Sequence, residues 1–169
     1  VSYAAHGRSM VSSDALKDPF SEDLTLEDSF LRVPVLENVI TDSHFSERAR
    51  LGRLLAFQAR GSDGREGEPL MGIGVDESTA LAIDANGMAQ VFSRNKGSVF
   101  LSIHSADTEM VLQAGKRLSM GPVIVIRLGT ESSYNFLTKA VDRPVALAVV
   151  EVVEGKLQAV EDVNAGVVR

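Results

Sequence analysis

Val39-Ile40-Thr41-Asp42 is a β-branched stretch of strand length that runs straight into the polar cluster Ser43-His44-Phe45-Ser46. From Glu47 the pattern becomes helical. Leu51, Leu54, Leu55 and Phe57 recur at helical spacing to about Arg60, with Ser46 placed as an N-cap and Gly61 as the stop. Arg48, Arg50 and Arg53 fall on the other side and read as a solvated face. A strand, a tight turn and an amphipathic helix in that order commit the chain to α/β packing. A strand of this kind is buried between neighbours. The residues before it offer few candidates, so the sheet is expected to be completed by something outside this chain.

Elsewhere the organisation is simpler. Residues 1–30 are polar, with a short helix expected over Ser13–Lys17. A second short helix is expected where Leu26, Phe30 and Leu31 share a face, ended by Pro34. From Leu70 the pattern is β. Strands are expected at Met71–Val75, Thr79–Ile83, Met88–Phe92, Ser98–Ile103, Val123–Leu128, Val145–Val153 and Leu157–Val160. Asp84-Ala85-Asn86-Gly87 is a hairpin turn, and Arg94–Gly97 and Glu154-Gly155-Lys156 are further turns. There is no internal repeat. The 169 residues read as a single domain, α/β with a β-rich tail.

Composition excludes several classes. Apolar residues make up 44% and charged residues 24%, so wholesale disorder is excluded. A net charge of -6 argues against nucleic acid and against anionic membrane surfaces. No apolar run approaches the ~20 residues of a membrane-spanning helix. Without cysteine there is no thiol nucleophile, disulfide or Cys-ligated metal, although the compartment stays open. His6, His44 and His104 lack metal-site spacing, so neither a metal nor another cofactor is expected. The first residues carry no signal-peptide pattern. The Val1 start points to processing or to a gene start that is absent.

The densest chemistry lies in Thr41-Asp42-Ser43-His44-Phe45-Ser46-Glu47-Arg48. It follows a strand C-terminus, where open α/β sheets place their ligands. Imidazole titrates near neutral pH and suits a general base, which makes His44 the candidate; a capping role is the alternative. Arg48, one turn on, can hold a substrate carboxylate in a bidentate fork, and Ser43 lines the same place. Gly72-Ile73-Gly74-Val75-Asp76-Glu77 is an incomplete dinucleotide fingerprint, because Glu77 stands where the third glycine belongs. Asp76 and Glu77 either orient a base or substrate amine, or form a solvated turn. Asp42 paired with Asp76 or Glu77 as glycosidase carboxylates depends on a separation that a sequence does not give. His6 and His104 read as surface or capping residues.

Residues 39–55, Val-Ile-Thr-Asp-Ser-His-Phe-Ser-Glu-Arg-Ala-Arg-Leu-Gly-Arg-Leu-Leu, followed by Gly-Ile-Gly-Val-Asp-Glu-Ser-Thr-Ala-Leu at 72–81, together resemble the cyanophycinase-like serine peptidases. That family is related to the α-aspartyl dipeptidases. The resemblance implies a flavodoxin-like, class I glutamine amidotransferase-like three-layer sandwich. It implies a Ser-His-acid triad acting on peptides with Asp or β-aspartyl linkages, without a cofactor. His44 falls on the family's histidine. Asp14 is the best placed acid, with Asp18, Glu22 and Glu27 as alternatives. Asp42 and Arg48 fall on substrate-binding positions. The family's nucleophile sits in a Gly-Thr-Ser-Ala-Gly elbow, and no Gly-x-Ser-x-Gly occurs here. The chain is therefore expected to be the C-terminal portion of such an enzyme, its Ser supplied by an upstream segment or by a second chain separated by cleavage before Val1. A homo-oligomer is compatible with the sequence. The alternative is a non-catalytic pseudoenzyme or partner module.

Overall fold

The computed structural model describes residues 3–5, 10–27, 33–65 and 67–162; His6, residues 28–32 of the second expected helix and residues 163–169 lie outside them. The elements are β1 (Tyr3–Ala5), α1 (Ser12–Lys17), β2 (Thr25–Glu27), a 3-10 turn (Pro34–Leu36), β3 (Val39–Ser43) and α2 (Leu51–Ser62). Strands then follow without another helix: β4 (Met71–Val75), β5 (Thr79–Ile83), β6 (Met88–Ser93), β7 (Val99–Val111) and β8 (Ser119–Leu128). The last are β9 (Ser133–Asn135), β10 (Val141–Asp142), β11 (Ala146–Val153) and β12 (Lys156–Asp162).

The architecture is mixed α/β with few helices. A six-stranded sheet runs β12-β11-β8-β7-β4-β3, a four-stranded sheet runs β10-β9-β6-β5, and β1 and β2 form a ribbon. Val39↔Met71 through Ser43↔Val75 pair in parallel, so α2 is the crossover of a β-α-β unit. The other described pairings are antiparallel. β3 lies at one edge of its sheet.

Strand alternation gives the six-stranded sheet two apolar faces. Ile40, Phe100, Val123, Val125, Ala148 and Val150 pack with Leu16, Leu54 and Leu55 of the helices. Val39, Ile73, Val99, Leu101, Ile126 and Leu128 pack with Ala89, Val91 and Tyr134 of the smaller sheet. Leu54 and Leu55 are fully buried, each contributing about 1.5–3 kcal/mol of transfer free energy. Gln58, also fully buried, bolts helix to sheet. Its amide donates to the Leu70 carbonyl at 2.8 Å and the Ser102 carbonyl at 3.0 Å, and it accepts from Ser102 Oγ.

Three local expectations are corrected. α2 begins at Leu51, not Glu47, because Ser46 is bonded to Asp76 and does not cap the helix. Gly61 does not stop the helix, which runs to Ser62; a Cβ there would come within 2.5 Å of Leu70 Cδ1, so glycine serves close packing. Residues 25–27, expected as the start of a helix, form β2, since Leu26 pairs with Ala4 across the ribbon.

Candidate active site

Because β3 and β4 are parallel, their C-terminal ends open to the same side. His44 follows Ser43 there, and Glu77 stands just beyond Val75. His44 takes a left-handed φ of 47°, a conformation non-glycine residues hold only when the surroundings enforce it. The enforcement is visible on both sides. Phe45 is buried beneath the loop, its N–H donates to the Val75 carbonyl at 3.2 Å, and its ring centroid lies 5.0 Å from that of Phe100. Gly74 forms its seat, since a Cβ there would meet Phe45 Cδ2 at 2.3 Å. The Gly-rich strand is thus shaped for an aromatic ring, and no phosphate is needed to explain it.

Asp76 pins the loop from the other side. It is buried; Oδ1 accepts from the Ser46 N–H at 2.9 Å and hydroxyl at 2.6 Å, and Oδ2 accepts from the Ser98 N–H at 2.8 Å. Glu47 Oε1 accepts from the Glu77 N–H at 3.0 Å. The loop is fixed while the imidazole remains 40% exposed, its Nδ1 facing Glu77 Oε1 at 3.6 Å.

Asp42 has a different surrounding from the one the resemblance implies. Its side chain is 4% exposed and clamped by Arg53, with Nε donating to Oδ2 at 2.8 Å and Nη2 to Oδ1. Arg50 Nη1 lies 3.4 Å from Oδ1. Burial, and secondarily the Arg53 cation, lower the Arg50 pKa, with Asp42 acting against them. The Arg face is therefore not solvated at Arg50 and Arg53. These guanidiniums tie the end of β3 to α2, and both carboxylate oxygens of Asp42 are occupied beneath the site.

Arg48 and Ser43 are exposed on the same turn as His44. Asp14 is exposed in the first turn of α1 and makes no ion pair with His44. The Asp18 carboxylate accepts from the Phe20 N–H at 3.0 Å and the Gly115 N–H at 3.1 Å, Glu22 is exposed, and Glu27 lies in β2. His104 lies in β7 with its Nε2 unpartnered, and burial lowers its pKa. The structure thus gathers Ser43, His44, Asp76 and Glu77 and leaves Asp14 without a contact to the imidazole. The role of Ser98, the bond from the Glu77 N–H to Glu47 and the burial of Arg50 and Arg53 escaped the sequence reading. The one available signal for the pair was a lone Asp at a strand end ahead of several closely spaced arginines.

Among the described residues no cluster of His, Asp or Glu is suited to a metal ion, and no helix is long and apolar enough to cross a membrane. No known protein family matches the chain, and no curated protein matches it significantly.

Proposed function

We propose that this chain is the histidine-bearing portion of a cyanophycinase-like serine peptidase, hydrolysing Asp-containing or β-aspartyl peptides with a Ser from an upstream segment or second chain. The observation that carries this reading is the exposed His44 imidazole on a pinned loop, Nδ1 facing the Glu77 carboxylate, at the C-terminal ends of two parallel strands. The Ser hydroxyl would attack the peptide carbonyl as His44 Nε2 takes its proton, and the imidazolium would return that proton to the leaving amine. Glu77 orients the imidazole in this scheme, in place of Asp14. Asp76 holds the loop. The exposed Arg48 is the residue placed to meet a substrate carboxylate, with Asp42 acting as an anchor below. The flavodoxin-like, amidotransferase-like sandwich belongs to the same proposal. In it, strands from the upstream segment or second chain would pair with β3, which among the described residues is the edge strand of its sheet, and the nucleophile elbow would approach His44 from there.

The test is hydrolysis of α- and β-aspartyl dipeptides by the protein assembled with its Gly-x-Ser-x-Gly segment. His44→Ala is expected to lower kcat by roughly 10⁴-fold or more. Glu77→Gln should lower kcat by about 10²–10⁴-fold with KM little changed, whereas Asp14→Asn leaves both constants alone. If the assembly with an intact elbow cleaves neither substrate, the pseudoenzyme or partner-module reading replaces this one.

A further inference from the structure

The two larger sheets leave a cavity of about 590 Å³ between them at the N-terminal ends of β3 and β4, the opposite end of those strands from His44. That volume is in the range of small-molecule sites. Val39, Met71 and Ile103 line it from the six-stranded sheet. Tyr134 and Phe136 line it from the other side, stacked edge to face with ring centroids 5.1 Å apart. The lining is mostly apolar, but its buried polar groups are short of partners. Tyr134 is 2% exposed, yet the acceptor its hydroxyl meets is Met71 Sδ at 4.0 Å, a thioether and a weak acceptor. Nε2 of His104, another lining residue, is buried with no partner among the described residues. Buried polar groups ordinarily find an oxygen or nitrogen.

The charges stay at the rim. Lys139 Nζ donates to both Glu68 carboxylate oxygens, at 2.8 and 3.0 Å, and the exposed Glu37 adds a second carboxylate. The ammonium is already engaged and the rim is net negative, so an anion gains no free cation there. Both carboxylates are exposed to water, which weakens their hold on a cation. Inside, burial lowers the His104 pKa and raises that of Tyr134, so at neutral pH the imidazole is uncharged and the phenol keeps its proton. We propose that this cavity binds a neutral ring compound carrying one hydroxyl or carbonyl oxygen. Its apolar body lies against Met71, Ile103 and Phe136, and its oxygen accepts from the Tyr134 hydroxyl in place of the thioether. The edge-to-face aromatic pair favours a flat body, and the Met71 side chain adapts to its outline.

Calorimetric titration at neutral pH with p-cresol, toluene and p-hydroxybenzoate tests this, with the Ile103 methyl resonances reporting where the ligand sits. p-Cresol is expected to bind one-to-one with a Kd of about 1 mM or tighter and to shift those resonances. Toluene offers Tyr134 no acceptor and should bind about tenfold more weakly. p-Hydroxybenzoate carries an anion that meets no free cation and should also bind at least about tenfold more weakly than p-cresol. Tyr134→Phe removes one oxygen and keeps the ring, so p-cresol and toluene should then bind alike. Val35 lines the cavity from the 3-10 turn and is half-buried, and Val35→Trp should fill the space and abolish binding of both with far-UV ellipticity unchanged. No saturable binding of p-cresol to the wild-type chain, p-hydroxybenzoate binding as tightly as p-cresol, a preference for p-cresol that survives Tyr134→Phe, or undiminished binding by a folded Val35→Trp would overturn the proposal.

Discussion

At residue scale, polar side chains divide by what meets them. Asp42 and His44 are two positions apart, yet one is a buried counterion and the other an exposed imidazole. Their types and their place at a strand end were legible in the sequence. Their division was not, because it follows from α2 folding Arg50 and Arg53 back over β3. Asp42→Asn leaves two buried, half-compensated guanidiniums and is expected to cost about 3–5 kcal/mol in urea unfolding; a loss under ~1 kcal/mol would mean that the clamp is solvated. His104 gives a pH signature. Burial lowers its folded pKa below 6.5, so the unfolded chain binds a proton in a range where the folded chain does not. That contribution is fully favourable above pH ~6.5 and is lost as pH falls toward the folded value. His104→Leu should flatten the dependence of the urea midpoint between pH ~7 and ~5. Equal slopes for the two proteins would show that the imidazole titrates alike in the folded and unfolded chains.

At the scale of elements, strand alternation and turn chemistry are local, and they were readable. The hairpin at Asp84–Gly87 forms as expected, with Asp84 Oδ1 accepting from the Asn86 N–H at 2.9 Å and the Met88 N–H at 2.8 Å. What the pattern did not contain was set by distant partners. Asp76 takes Ser46 away from the helix start. β9 and β10, with 3 and 2 residues, are too short to carry an alternation. A register break between His104 and Glu109 hides the second half of β7. The β3–loop–β4 unit is where an element controls the site, because Phe45 seats against Gly74 and His44 is its neighbour. Gly74→Ala forces the ring to move. It should cost about 1–3 kcal/mol and lower activity of the assembled enzyme by more than the unfolded fraction explains. Adding Phe45→Leu should recover part of the stability. An unchanged melting temperature for Gly74→Ala would refute the seat.

At the scale of the whole molecule, the six-stranded sheet is a shared wall between two cores. α/β composition and a β-rich second half were legible, since both follow from periodicity. The layering was not, because it depends on non-local neighbours: β4 beside β7, and β6 beside β9. The wall has a thermodynamic consequence. Leu101 and Phe100 are adjacent on β7, yet one faces the smaller sheet and the other the helices, so neither core can be exposed without disturbing the strand that carries both. The two sheets should therefore unfold together. With no tryptophan and two tyrosines in the chain, Tyr3→Phe makes Tyr134 the sole intrinsic probe of the smaller sheet. Its fluorescence midpoint in urea should coincide with that of far-UV ellipticity. Leu101→Ala, at a fully buried position, should move both midpoints together by about 2–5 kcal/mol. If Tyr134 reports an earlier transition than ellipticity, the smaller sheet unfolds alone, and the Leu101 face is a docking surface between two units and not a common core.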